Sequence, residues 1–296
     1  MNKAKIKSIA YFLGKTLGFL GLIFVFYTLA QEYTLASFTQ QFIAFLAILP
    51  LLIVLNIISV LIGIYAWHQM LLHYSSHRFE YMLSYYYFSK TEIAKYLPGN
   101  IFHFIGRQAL ASKLDITQKH MAQISLLFAL LLLTGTLITG TAFAFLSQAI
   151  PLFILTLLGI SSIISLMSLG YIYPSFPLSK KVSMHLYLAL SIAMQGIMLG
   201  IIVMYQSEAF GYTLFFQCVS IYTISWLIGF VTPGASGGLG VREGVFIAIV
   251  TYLAIQVDSN IIIFSVLLVR LINISVDVLL YLWTFILENK IKEVKI

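Results

Sequence analysis

Arg107 and Arg242 are the residues of this chain best suited to chemistry, because each follows a Pro-Gly pair at the same interval. In Thr232-Pro233-Gly234-Ala235-Ser236-Gly237-Gly238-Leu239-Gly240-Val241-Arg242-Glu243 the arginine stands nine positions after the proline. In Leu97-Pro98-Gly99-Asn100-Ile101-Phe102-His103-Phe104-Ile105-Gly106-Arg107-Gln108 it does so again, 135 positions earlier. A guanidinium offers a planar fork of donors that matches phosphate oxygens, and Gly-rich backbone beside it can present bare N–H groups. A helix starting near Arg242 would aim its positive end at the same spot, with Glu243 capping it. Gly237, Gly238 and Gly240, with Pro98-Gly99 and Pro233-Gly234, therefore join the arginines as one candidate anion-binding set. The plainer reading is that each arginine is an interfacial charge at the end of a hairpin.

Arg270, Asn273 and Asp277 follow at spacings of three and four in the last apolar run, so they share one helix face. Two readings stand. Arg270 and Asp277 neutralise each other through Asn273 and hold helices together, or the three form the polar wall of a substrate cavity. His68, His73, His77 and His103 raise the question of a metal, but no Cys accompanies them, and no metal or cofactor is expected. Phosphate-binding nucleotide loops, a serine nucleophile elbow and a paired-carboxylate site are all missing from the sequence.

The surroundings of these residues are apolar. Of 296 residues, 60% are hydrophobic and 9% charged, far below the roughly one-quarter charged residues of a soluble domain. The chain is expected to be all-α and integral to a membrane, as a single transmembrane domain over 1–296. Its formal net charge of +7 is not read as nucleic-acid binding, because the basic residues sit in short loops between apolar runs. Cys218 is the single cysteine, so no disulfide can form within the chain.

Apolar runs predict spans at Ile9–Ala30, Gln41–Trp67 with Pro50 as a tolerated kink, Met121–Leu146, Leu152–Ile172, Leu186–Met204 and Ile261–Leu287. The stretch from Leu83 to Gly106 carries Lys90, Glu92 and Lys95 as well as the Pro-Gly break, which disfavours a simple span. A re-entrant hairpin opening to the cytoplasm fits it. Lys3, Lys5, Lys7, Arg78, Lys113, Lys119, Lys180, Lys181, Lys290, Lys292 and Lys295 then all lie on the cytoplasmic side. Glu32, Glu208 and Asp258 lie opposite, with no Lys or Arg among them, and both termini are cytoplasmic. Tyr212–Val231 and the short Gly244–Ile255 leg either both cross, giving eight spans, or form a second hairpin from outside, giving six. The second arrangement makes 81–146 and 212–281 the halves of an inverted repeat and is preferred, because the last leg is short.

Pro233-Gly234 with Gly237-Gly238-Leu239-Gly240-Val241-Arg242-Glu243 resembles the signature of the lysylphosphatidylglycerol synthase transmembrane family. Tyr96-Leu97-Pro98-Gly99 with Arg107 is similar to its upstream motif, and the likeness covers nearly the whole chain. The resemblance implies a flippase-like protein of a bacterial or archaeal plasma membrane. In the full aminoacyl-lipid synthases a cytosolic transferase domain follows the membrane part. Here about nine residues follow the last span, so no transferase chemistry is expected. The expectation is a transporter, not an enzyme, that moves an anionic phospholipid or a polyprenyl-phosphate-linked glycan between leaflets. The alternative is a membrane-embedded enzyme or accessory subunit of glycolipid or aminoacyl-lipid synthesis. Expected partners are membrane lipids with an anionic or phosphate-bearing head group, and a second copy of the chain or a glycosyltransferase.

Overall fold

The computed structural model describes residues 43, 45–75, 78–96, 102–172, 176–207, 211–233 and 235–294. The expected first span at Ile9–Ala30, together with Pro98, Gly99, Gly234, His77, Glu32, Glu208 and Lys295, lies outside the described residues.

All regular structure among the described residues is helical. In order it comprises α1 (Leu49–Tyr74), α2 (Tyr81–Glu92), a 3₁₀ turn (Ile93–Tyr96), α3 (Phe102–Ala109), a second 3₁₀ turn (Ala111–Leu114) and α4 (Gln118–Ser147). Then come α5 (Leu152–Ile172), α6 (Leu178–Gln206), α7 (Tyr212–Val231), a third 3₁₀ turn (Ser236–Gly238), α8 (Val241–Tyr252) and α9 (Ser259–Val294). Among the described residues, five helices are long and apolar enough to cross a membrane: α1, α4, α6, α7 and the Asn260–Glu288 part of α9. The protein is a polytopic, all-helical membrane protein.

Several boundaries differ from the apolar runs. Pro50 does not kink a span; it occupies the first turn of α1, where its missing N–H has no intrahelical partner to lose. The helix then runs on to Tyr74, past the expected end at Trp67. On α6 the helix begins at Leu178 and takes in Lys180 and Lys181, because a charged turn continues a helix well when its end reaches water. By contrast, α2 has 12 residues and α8 has 12, about 18 Å each at 1.5 Å per residue, short of a roughly 30 Å hydrocarbon core.

Helix α6 packs against α1, α4, α7 and α9, while α2 lies against α9 and α1. Small residues set the close crossings, since lipid tails offer no hydrophobic drive for helix association. Ser59 and Ser191 exchange hydroxyl-to-carbonyl bonds at 2.7 and 2.8 Å between α1 and α6. Ser220 donates to the Gly140 carbonyl at 2.8 Å between α7 and α4. Two apolar cores result. One surrounds Trp67, Phe88 and Leu127, the other Leu199, Tyr222 and Phe264, and Val60, Leu132 and Leu280 pack against both.

At Gly196 an added Cβ would lie 2.9 Å from Val219 Cγ1 and 3.2 Å from the Val219 carbonyl, whereas at Gly159 it would meet nothing within 4 Å. Gly196→Val should therefore cost about 1–3 kcal/mol by overpacking the α6–α7 crossing. Gly159→Val should leave the melting temperature in detergent almost unchanged. Equal melting of the two variants would contradict this packing.

Candidate functional site

The 3₁₀ turn at Ile93–Tyr96 touches the one at Ser236–Gly238, and each also contacts an adjoining helix. Helix α7 ends where Thr232 returns its hydroxyl to the Ile228 carbonyl at 2.6 Å. Beyond Pro233 the backbone turns left-handed at Gly237 (φ 56°), Gly238 (φ 74°) and Gly240 (φ 78°), a region that side chains disfavour. Space demands glycine there too. A Cβ on Gly237 would lie 3.2 Å from Arg270 Nη2, and one on Gly238 would press on Arg242 Nε. On the other side of Arg242, a Cβ on Gly229 would collide with its Cγ. These glycines make room for two guanidiniums.

Beside these two turns lies a cavity of about 130 Å³ whose charged lining is Glu92, Lys95, Arg107, Arg242, Arg270 and Asp277. The charges fall into two groups. The first is a continuous chain of ion pairs. Arg107 Nη2 meets Glu92 Oε2 at 2.6 Å, Lys95 Nζ meets Glu92 Oε1 at 3.2 Å, and Lys95 Nζ also meets Asp277 Oδ2 at 2.8 Å. Tyr96 donates its hydroxyl to the same Asp277 oxygen at 2.6 Å. Arg107 is 1% exposed, and its guanidinium carbon stands 4.2 Å from the Phe88 ring centre, 5.3 Å from that of Phe128 and 5.6 Å from that of Trp67. Aromatic rings and a carboxylate enclose it, so it belongs to the framework.

The second group forms no ion pair among the described residues, with only the buried Glu243 carboxylate near it. Arg270 is 8% exposed and donates through Nη1 to the Gly237 carbonyl at 3.0 Å, while its Nε and Nη2 have no partner. Arg242 lies 5.0 Å from the Trp226 ring centre, and its buried Nε is also unpartnered. Neither arginine forms an ion pair among the described residues. The two repel each other. Free guanidinium donors held in low-dielectric surroundings are a site for an anion with several acceptor oxygens.

The expected compensation of Arg270 by Asp277 through Asn273 is not what the fold makes. Asp277 is taken by Lys95 and Tyr96 from another segment, and Asn273 bonds to Asn56 on α1 and to the Tyr222 hydroxyl. Glu243 stands in the first turn of α8, where the helix dipole favours a carboxylate, but no side chain caps that helix. It is buried with Oε2 unpartnered, and it lines a smaller adjoining pocket with Arg242, Arg270 and Tyr222. Gly237 borders the cavity and Pro233 is exposed outside it.

The histidines go separate ways. His68 bonds Ser84 Oγ at 2.8 Å, His73 stacks edge-on to Phe176 at 4.3 Å, and His103 faces the cavity. Among the described residues, no three His, Cys, Asp or Glu side chains gather as a metal site. Sequence reasoning missed Glu92, Lys95, Tyr96, Asn56 and Trp226 as site residues. The available signal was the placement of Glu92 and Lys95, two charges in an apolar stretch with Arg107 close by.

Removing one partner of a buried pair costs more than removing a buried charge that has none. Arg107→Leu should destabilise by about 3 kcal/mol, because it strips Glu92 of its closest cation. Arg242→Leu should change stability by less than about 1 kcal/mol, in either direction. Thermal melting in detergent ranks the two, and the reverse order would exchange the framework and ligand roles assigned here.

The chain matches none of the protein-family models and none of the curated proteins with which it was compared.

Proposed function

We propose that this protein is a flippase-like carrier that draws the phosphate-bearing, anionic head group of a lipid into the cavity and passes it between leaflets. The observation that carries this reading is the pair Arg242 and Arg270, two buried guanidiniums with unpartnered donors and no ion pair among the described residues. Each charge-assisted hydrogen bond to a phosphate contributes roughly 1.5–3 kcal/mol, enough to draw a head group inward while leaving it free to depart. The N-terminus of α8 adds its dipole to the same seat, since it starts at Val241. Acyl or prenyl tails remain in lipid between helices.

On this reading α2 with α3, and α7 with α8, are re-entrant hairpins that enter from opposite faces, one in each half (81–146 and 212–281) of an inverted repeat. The shortness of α2, α3 and α8 supports it, as does the contact between the two broken segments. The resemblance of Pro233-Gly234 with Gly237-Gly238-Leu239-Gly240-Val241-Arg242-Glu243 to the lysylphosphatidylglycerol synthase transmembrane family supports this reading and a bacterial or archaeal plasma membrane. Both termini are then cytoplasmic. The framework residues Arg107, Glu92, Lys95 and Asp277 hold the hairpins in register so that Arg242 and Arg270 face one ligand.

In liposomes containing a fluorescent phosphatidylglycerol, the protein should expose inner-leaflet probe to dithionite. Arg242→Lys keeps the charge but loses the fork, so the rate should fall about tenfold with unchanged melting. Transport by Arg242→Ala at the parental rate would refute the seat. For topology, cysteines replacing Ser179 and Asp258 in a Cys218→Ala background should label with impermeant maleimide from opposite sides. Labelling of both from outside would refute the arrangement.

A further inference from the structure

We infer that the cavity selects lipids whose phosphate bears an uncharged, hydroxyl-carrying head and rejects those whose phosphate bears an ammonium group. This rests on the phosphate seat proposed above and concerns what lies beside it. A zwitterionic or cationic head group needs a free carboxylate within reach of its phosphate site. Of the two carboxylates that line the cavity, Glu92 is engaged through both oxygens and Asp277 through Oδ2, while Glu243, whose Oε2 is unpartnered, is buried in the adjoining pocket and does not line the cavity. Glu92 has Oε2 on Arg107 at 2.6 Å and Oε1 on Lys95 at 3.2 Å. Asp277 Oδ2 receives Lys95 at 2.8 Å and the Tyr96 hydroxyl at 2.6 Å. The place an incoming ammonium would take beside Asp277 is thus filled by the protein's own ammonium, Lys95.

The charge balance points the same way. Lys95, Arg107, Arg242 and Arg270 face the cavity against Glu92 and Asp277. Glu243, in the adjoining pocket, also borders Arg242 and Arg270, and counting it still leaves an excess of positive charge. An ammonium entering this field is repelled, while a phosphodiester is attracted. What remains of the polar lining holds no carboxylate: Gln195 on α6, His103 on α3 and Trp226 on α7, with Asn56, Ser191 and Asn273, each of which already makes one bond within the protein. Amides and hydroxyls both give and accept hydrogen bonds, as do the hydroxyls of a glycerol or a sugar. Lys95 is therefore a specificity-determining residue, acting by occupying the counter-charge.

The test is a competition measured by native mass spectrometry on the purified full chain with four lipids of matched acyl chains. Phosphatidylglycerol and phosphatidylpropanol carry the same single negative charge, the second without hydroxyls; phosphatidylethanolamine is zwitterionic and lysyl-phosphatidylglycerol cationic. Phosphatidylglycerol should bind at least tenfold tighter than either ammonium lipid and about threefold tighter than phosphatidylpropanol. Equal binding of phosphatidylglycerol and phosphatidylethanolamine overturns this inference but leaves the phosphate seat intact. No preference for any of the four over diacylglycerol overturns the seat itself. Lys95→Met vacates the place beside Asp277 and should narrow the preference over phosphatidylethanolamine to threefold or less. Asp277→Asn frees Lys95 instead and should widen it. A preference that moves in neither variant overturns the role given to Lys95.

Discussion

The ion pair between Lys95 and Asp277 is the contact on which the rest of the cavity depends. Charges inside a membrane protein pair with one another or with backbone carbonyls, or face a water-filled cavity, because lipid offers them nothing in return. Lys95 sits on the 3₁₀ turn that follows α2, and Asp277 sits in the middle of α9. Their 2.8 Å contact, reinforced by Tyr96, ties the first broken segment to the last helix. Through Glu92 the same chain of charges reaches Arg107 and the aromatic rings of the first core. Because Lys95 takes Asp277, Arg270 is left without its nearest acidic candidate on α9. The free charge of the site follows from the pairing of the framework.

Backbone and packing supply the second condition. Arg242 can stand beside Trp226 only because Gly229 and Gly238 leave its aliphatic stem uncrowded, and Arg270 can reach the Gly237 carbonyl because that residue has no side chain. The left-handed conformations at Gly237, Gly238 and Gly240 turn the chain from α7 into α8 without a helix running through. A broken segment of this kind is admissible at membrane depth where it borders a cavity or is buried in protein. The cavity lies where Val60 and Leu132 join the two apolar cores, so movement of one core against the other would reshape it. On the transport reading, that junction is where alternating access would act.

The sequence by itself determined the class of protein and the turn between α7 and α8. Composition and long apolar runs require a helical membrane protein, because a backbone in lipid must satisfy its own hydrogen bonds. The five long helices fall where those runs are, within a few residues at most boundaries. The turn at the glycines near Arg242 was legible because backbone conformation is a local property: clustered glycines favour left-handed turns. Pro50 was misread as a kink because the apolar run continues on both sides of it, so hydropathy alone does not mark a helix start.

Partnership was decided only by tertiary structure. Spacing along α9 makes Arg270, Asn273 and Asp277 neighbours on one face, and that periodicity suggests mutual compensation. Asp277 instead pairs with Lys95, 182 positions away in the chain, and Asn273 with Asn56, 217 positions away. Arg107 and Arg242 share a motif but not an environment, one enclosed by Glu92 and three aromatic rings, the other beside Trp226 with an unpartnered donor. A Coulomb interaction depends on distance in space, and in a low-dielectric interior the nearest opposite charge prevails. The order of residues along the chain does not state which charge that is; the packing of α2, α3 and α9 does.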